Sequence, residues 1–244
     1  MSLFITFEGP DGAGKSTQAS LLHRHLEERG YPVLLTREPG GTRIGEQIRT
    51  LLVGLQYTEV EATTEVLLFS AARAQIVREV IRPHLAQGTI VICDRYADST
   101  YAYQGYGQGW DLTQLEAITN IATDGLLPDM TIYLAIPAED GLERKMTRLQ
   151  EWNRFDARDV AFHQRVSEGF EALLQGDPNR WSRFDARQPI DDLAQRILAA
   201  VEERLAAAAI LPTQPDQPDQ LAQPAQPAQP TEIPSSEQQN VAKS

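Results

Sequence analysis

Short apolar runs of four to seven residues punctuate the chain at Leu3–Phe7, Pro32–Thr36, Thr89–Asp94 and Met130–Ile136, with a weaker one at Trp181–Phe184. Runs of that length, apolar almost throughout, predict strands buried on both faces. Between them the apolar positions fall at helical spacing. Gln18–Arg29 places Leu21, Leu22 and Leu26 on one face, and Gly30 ends it. Further helices are predicted over Arg43–Leu52, over Thr63–Gln87 with a break near Pro83, and over Leu115–Thr123. Glu139–Leu149, Val160–Leu174 and Ile190–Ala209 complete the set. Arg37–Thr42 carries a proline and two glycines and predicts a loop, while Tyr101–Gly109, with three glycines among tyrosines, predicts a turn-rich stretch. Strands alternating with helices predict an α/β domain, a parallel sheet of five strands covered by helices on both sides. Loops leaving the carboxyl ends of such strands form the site.

The pattern stops at Leu211. From Pro212 to Ser244 the chain is rich in Pro and Gln and nearly devoid of large apolar groups, a composition that cannot offset the entropy of ordering. The expected organisation is one domain over 1–211 and a disordered tail over 212–244. The net charge is −12, of which the tail holds −3 (Asp216, Asp219, Glu232 and Glu237 against Lys243), leaving −9 for the domain. An acidic body argues against general nucleic-acid binding. Cys93 is the sole cysteine, so no intrachain disulfide is available and a reducing, cytoplasmic location is expected. The chain starts directly on a strand, without the basic region and apolar core of a leader, and has no apolar run of about 20 residues to span a bilayer.

One motif sits where the first strand meets the first helix. Gly9-Pro10-Asp11-Gly12-Ala13-Gly14-Lys15-Ser16-Thr17 fits G-x-x-x-x-G-K-[ST]. Its glycines let successive N–H groups turn inward around a polyphosphate, and the helix N-terminus adds its positive dipole end. Lys15 would reach the β- and γ-phosphates and the Ser16 hydroxyl would ligate Mg²⁺. Asp94, closing an apolar strand, has the pattern of a carboxylate that helps hold the metal, and Arg95 follows at the same strand end, placed to clamp a second phosphate. Phe69 and Arg73, four apart, share a helix face, which by itself means a core aromatic beside a snorkelling arginine. His23, His25, His84 and His163 show no metal-ligand spacing. Arg144, Lys145, Arg148, Arg154 and Arg158 concentrate positive charge around a break between two helices. A solvated face is the ordinary reading of such a run, and a lid over phosphates, about 144–158, is the reading favoured here.

GPDGAGKST, then REPGGT at Arg37–Thr42, FSAAR at Phe69–Arg73 and DRYADSTYAYQG at Asp94–Gly105 together resemble the bacterial type of the thymidylate kinase family, in the family's order and over roughly Met1–Ala209. The resemblance implies a P-loop NTPase-type, nucleoside monophosphate kinase-like fold with a lid. It implies ATP and Mg²⁺ as cofactors, dTMP as substrate, and conversion to dTDP on the way to dTTP. ATP would be bound by Gly9 to Thr17, by Arg144, and by the Asp185-Ala186-Arg187 turn on the adenine side. Phe69 would stack on thymine, Arg73 would donate to the base, and Arg49 and Arg95 would take the acceptor phosphate. Asp11 would lie near the sugar 3′-hydroxyl and Tyr103 against its 2′ position. Ser99, Thr100 and Gln104 would line the base pocket, with Glu38 and Pro39 at its border. Lys15, Arg95, Arg148 and Arg154 are the expected catalytic groups, and a homodimer is the expected assembly. Two features depart from the family: glycine at position 12, where one branch has a catalytic arginine, and Asn153-Arg154-Phe155-Asp156 where Asp-Arg-x-Glu is common. A GTPase would carry N-K-x-D, which is absent, and a partition-type ATPase would carry an extra lysine where Pro10 and Asp11 stand. A kinase for another nucleoside monophosphate or for a deoxynucleoside is the nearest alternative.

Overall fold

A computed structural model describes residues 2–147 and 153–212. Five parallel strands form one sheet in the order β2-β3-β1-β4-β5. They are β1 Phe4–Glu8, β2 Val33–Arg37, β3 Ile90–Asp94, β4 Met130–Ala135 and β5 Trp181–Asp185. β1 is central and fully buried, and its register sets Phe7 beside Asp94 of β3 and Glu8 beside Tyr133 of β4. The ends of β1 and β3 therefore open side by side, and everything that follows them is delivered to one place.

The helices are α1 Lys15–Glu28, α2 Arg43–Val53, α3 Ala62–Ile76, α4 Arg82–Ala86, α5 Ala97–Thr100, α6 Leu112–Thr123, α7 Ala138–Met146, α8 Val160–Gly176 and α9 Ile190–Ala207. Alternation along each strand divides the core. Ile5 and Phe7 of β1 pack with Leu22 and Leu26 of α1 and Ile197 and Val201 of α9 on one face. Phe4 faces the other way, with Ile76, Ile81, Val91 and Tyr96. A third, aromatic cluster joins Tyr103, Tyr133, Phe162, Phe170 and Trp181 beneath α8.

Two stretches differ from the sequence expectation. The break in the long helix precedes Pro83: Val77–Ile81 forms a π turn, and Pro83 sits in the first turn of α4. A proline ring collides with the carbonyl four residues back in a regular helix, and a widened turn makes room for it. Tyr101–Gly109 is not a set of turns. Tyr101–Gly107 continues α5 as a π segment. Its glycines serve close packing, since a Cβ on Gly107 would lie 2.7 Å from Phe162 Cε2 and 2.9 Å from Val166 Cγ2. The wide turn also frees the Gly107 carbonyl, which accepts from Arg165 Nη2 at 2.9 Å. α1 begins at Lys15, earlier than Gln18, because its first turn is polar and shows no periodicity. α7 runs Ala138–Met146, with Arg148 and Leu149 outside the described residues, as is the expected tail from Thr213 onward.

Candidate active site

Strand ends, phosphate loop and helix termini enclose a cavity of about 1100 Å³. The loop from β1 to α1 is shaped by glycine where it meets the opposite wall. Gly12 has φ +77°, and a Cβ there would lie 2.0 Å from the Gly141 carbonyl of α7. Backbone lies on backbone at the position where one family branch carries arginine, so no side chain fits in this arrangement.

Lys15 is buried and folds back over the loop, donating to the Gly9 carbonyl at 2.9 Å and the Pro10 carbonyl at 2.7 Å. Burial and the neighbouring Arg95 charge push its pKa down to about 8. Ser16 Oγ donates to Asp94 Oδ2, bringing the two expected metal-holding groups into contact. Among the described residues, no group of three or more His, Cys, Asp or Glu side chains could hold a metal.

Arg95 is the hub between the phosphate loop and the rest of the cavity. Its backbone is left-handed, φ +71°, unusual for a residue with a side chain. Nη1 donates to the Gly9 carbonyl and Ser99 Oγ, both at 3.1 Å. Nη2 donates to Asp11 Oδ1 at 2.7 Å and Tyr103 Oη at 3.0 Å. Tyr103 Oη in turn donates to Asp11 Oδ2 at 2.7 Å. Burial pushes the Asp11 carboxyl up, but Arg95 and Lys15 outweigh it and hold it below the usual carboxylate range. Glu8, invisible in the motif, holds this turn from beneath. Its Oε1 accepts from Tyr96 N at 2.7 Å and its Oε2 from Ser99 Oγ at 2.6 Å. Full burial, reinforced by Asp98, pushes its pKa to about 8.

The far end of the cavity is lined by Glu38, Pro39, Arg49, Phe69, Arg73, Thr100, Tyr103 and Gln104, all named from the sequence. Arg73 is not a snorkelling residue but a buried one, 1% exposed. Nε donates to Glu38 Oε2 at 2.8 Å, Nη1 to Thr100 Oγ1 at 3.0 Å and Nη2 to the Tyr96 carbonyl at 3.2 Å. Arg49 is held by the Pro39 carbonyl at 3.0 Å. Phe69 faces Phe155, which enters from the segment between α7 and α8, with ring centroids 5.8 Å apart.

The basic segment divides. Arg144 and Lys145 line the cavity, and Arg144 Nη1 donates to the Ala186 carbonyl at 2.9 Å, joining the segment to the expected adenine-side turn. Arg154 does not reach the cavity. Asn153 N donates to Asp156 Oδ2 at 2.9 Å and Phe155 N to Asn153 Oδ1 at 2.8 Å, closing a turn from which Arg154 runs away from the cavity and into the protein. Its Nη2 meets Glu65 Oε2 at 2.6 Å and its Nε the Leu52 carbonyl at 3.2 Å. Asp185 and Arg187 pair with each other at 2.8 Å outside the lining, while Ala186 remains within it. Arg148 lies outside the described residues. Glu8, Glu65 and Phe155 are the participants that the sequence did not mark, whereas Lys145 was legible there as a member of the basic run.

The sheet order and the phosphate loop beside Asp94 define the class: a P-loop kinase of the nucleoside monophosphate kinase fold. Residues 7–197 match the profile of the thymidylate kinase family. A thymidylate kinase of Roseiflexus castenholzii is 62% identical over 219 residues, covering 85% of this chain and 96% of the relative. One from Herpetosiphon aurantiacus is 48% identical over 235 residues, covering 86% and 100%. The crystal structure of thymidylate kinase from Ehrlichia chaffeensis superposes with a TM-score of 0.68 at 33% identity, covering 82% of this chain and 98% of that one. The chain belongs to the thymidylate kinase family.

Proposed function

We propose that this enzyme transfers the γ-phosphoryl group of ATP to dTMP, giving ADP and dTDP. The observation that carries the reading is that one cavity joins a phosphate loop to a pocket holding Phe69, Arg73 and Gln104, with Arg95 between them. ATP occupies the loop from Gly9 to Thr17, with its base toward Ala186 and Arg144. The monophosphate lies with its base against Phe69 and its phosphate toward Arg49 and Arg95.

Phosphoryl transfer demands alignment and charge neutralisation more than covalent help. Lys15, hydrogen-bonded to the Gly9 and Pro10 carbonyls, swings to the transferring phosphate, whose charge raises its affinity for the proton. Arg95 is already oriented by Asp11 and Tyr103, so little rotamer freedom is lost when it takes the acceptor phosphate. Tyr103, buried and held by its bond to Asp11, leaves little room for a 2′-hydroxyl. Phe155 closes over Phe69 and excludes water from the base. The Ser16 hydroxyl and Asp94 carboxylate are hard oxygen donors and fit Mg²⁺, which keeps several waters and binds phosphate oxygens rather than needing a full protein cage. When bound, Mg²⁺ neutralises charge on the donor phosphates. Positive charge from the lid comes from Arg144 and Lys145, which line the cavity, and from Arg148.

An Arg73 donor suits the O4 keto oxygen of thymine and meets an unmatched donor in the amino group of cytosine. A coupled assay of ADP release across nucleoside monophosphates tests this. We expect dTMP to give the highest kcat/KM, dUMP less, and dCMP close to background; preference for dCMP or a purine would overturn the assignment. We further read the enzyme as a cytoplasmic homodimer, supported by the family resemblance and by exposed apolar side chains such as Leu67 and Ile121. Sedimentation at micromolar concentration checks the assembly, and a monomer would refute it. Among the described residues no helix is long and apolar enough to cross a membrane.

A further inference from the structure

Glu65 of α3 is 1% exposed and stands behind the wall of the base pocket, outside the cavity lining. It gathers N–H donors from two distant parts of the chain. Oε1 accepts from Gln104 Nε2 at 2.8 Å and from Gln108 Nε2 at 2.7 Å, and Oε2 from Arg154 Nη2 at 2.6 Å. Of these three partners, Gln104 lines the cavity.

A side-chain amide has two limbs of opposite hydrogen-bond polarity, and which one faces a ligand depends on what holds the other. A carboxylate accepting from its neighbours compels Gln104 to turn its NH₂ limb backward. The carbonyl limb is then the one offered to the cavity. Among the described residues nothing donates to Gln104 Oε1, and it is not one of the buried atoms left without a partner, whereas Gln108 Oε1 is. Gln104 Oε1 is thus open to the pocket.

We propose that Glu65 is a positioning residue for base selection, fixing Gln104 so that the pocket presents an acceptor beside the Arg73 donor. The inference rests on the thymine-nucleotide reading above. A keto pyrimidine carries an N3–H donor next to its O4 acceptor, the complement of that pair, and cytosine reverses both. Arg73 retains two of its five N–H groups beyond the three engaged by Glu38, Thr100 and Tyr96. Without Glu65 the Gln104 amide is free to present either limb, and only half of the discrimination survives. Arg154 balances the Glu65 charge, so the segment carrying Phe155 onto the base pocket and the group that reads the base are fastened to one carboxylate.

The test is the ratio of kcat/KM for dTMP to that for dCMP in wild type, Glu65→Gln, Gln104→Leu and the double variant, with thermal unfolding of each. Glu65→Gln is expected to lower the ratio about tenfold, the scale of one mispaired buried hydrogen bond. The change should lie in KM for the monophosphate, with kcat and the ATP KM within about threefold of wild type. In the Gln104→Leu background Glu65→Gln should add nothing, because Glu65 acts through that amide. Glu65→Asp keeps the charge for Arg154 while withdrawing the carboxylate from Gln104 by one methylene. It should lower the ratio about threefold, and it carries the test if the glutamine variant does not fold. Wild-type preference for dTMP with an unchanged ratio in folded Glu65→Gln, or equal effects with and without Gln104, would overturn the inference alone. A wild type that does not prefer dTMP would sink the substrate reading and this inference with it.

Discussion

Replacing Arg154 with alanine separates two roles that predict different observables. The sequence places a mobile arginine over the phosphates; the structure shows its guanidinium 2.6 Å from Glu65, with side-chain exposures of 11% and 1%. A further bond runs to the Leu52 carbonyl, and the guanidinium carbon lies 4.9 Å from the Phe155 ring centre. Truncation strands a buried carboxylate, and breaking a buried pair in this way costs about 3–5 kcal/mol. Partial exposure of the arginine puts the expected loss at the lower end, about 3 kcal/mol. For a domain of this size each kcal/mol lowers Tm by about 2–4 °C, so Arg154→Ala should melt about 6–12 °C earlier. It should keep kcat within about fivefold of wild type, because the side chain does not touch the reacting groups. Calorimetry and steady-state kinetics on one preparation read both quantities. In a Glu65→Gln background the charge to be stranded is gone, and the same truncation should cost about 1 kcal/mol, a coupling of about 2 kcal/mol. A fall in kcat of about 10²–10³ at unchanged Tm would refute this reasoning and return Arg154 to the phosphates.

Gly12→Ala would force a Cβ to within 2.0 Å of the Gly141 carbonyl, displacing the phosphate loop from α7. Misplacement on the ångström scale costs about 10² in rate, so kcat/KM for ATP should fall at least that far, and near-normal kinetics would contradict the packing argument. Tyr103→Phe removes the bonds to Asp11 and Arg95, and kcat/KM for dTMP should drop about tenfold, measured in the same coupled assay. Glu8 has a folded pKa of about 8 against an ordinary 4.5, so its contribution to stability is complete below about pH 4.5 and is lost as pH rises through 8. Glu8→Gln cannot ionise. Its Tm should therefore fall less than that of wild type between pH 6 and 8, and parallel profiles would show that Glu8 does not titrate in this range.

What could be read from the sequence is what adjacent residues settle among themselves. The strand, the Gly9–Thr17 loop and the following helix form one continuous stretch, and a backbone cradle for phosphate is a local conformation of that stretch. Apolar runs marked the strands because burial on both faces leaves no alternation to disguise them. The family motifs named most of the cavity lining, Phe69, Arg73 and Gln104 among them, since each motif carries its residues as a block, while Arg49, outside every motif, followed from the family resemblance alone. What the sequence left open depends on partners far along the chain. Arg154 and Glu65 lie 89 residues apart, Glu8 and Tyr96 lie 88, and neither carboxylate has a sequence neighbour that points to its partner. The same arginine in the same helix break satisfies the pattern of a phosphate-reaching lid and of a buried pair. Only the packing of α3 against the turn at Asn153–Asp156 chose between them, because a buried polar group must find its hydrogen-bond partners wherever the fold brings them. The π segments were decided the same way. Glycines at 105 and 107 are equally compatible with a loop and with a helix, and only the fold shows what leaves them no room for a side chain: Leu112 beside Gly105, and Phe162 and Val166 of α8 beside Gly107.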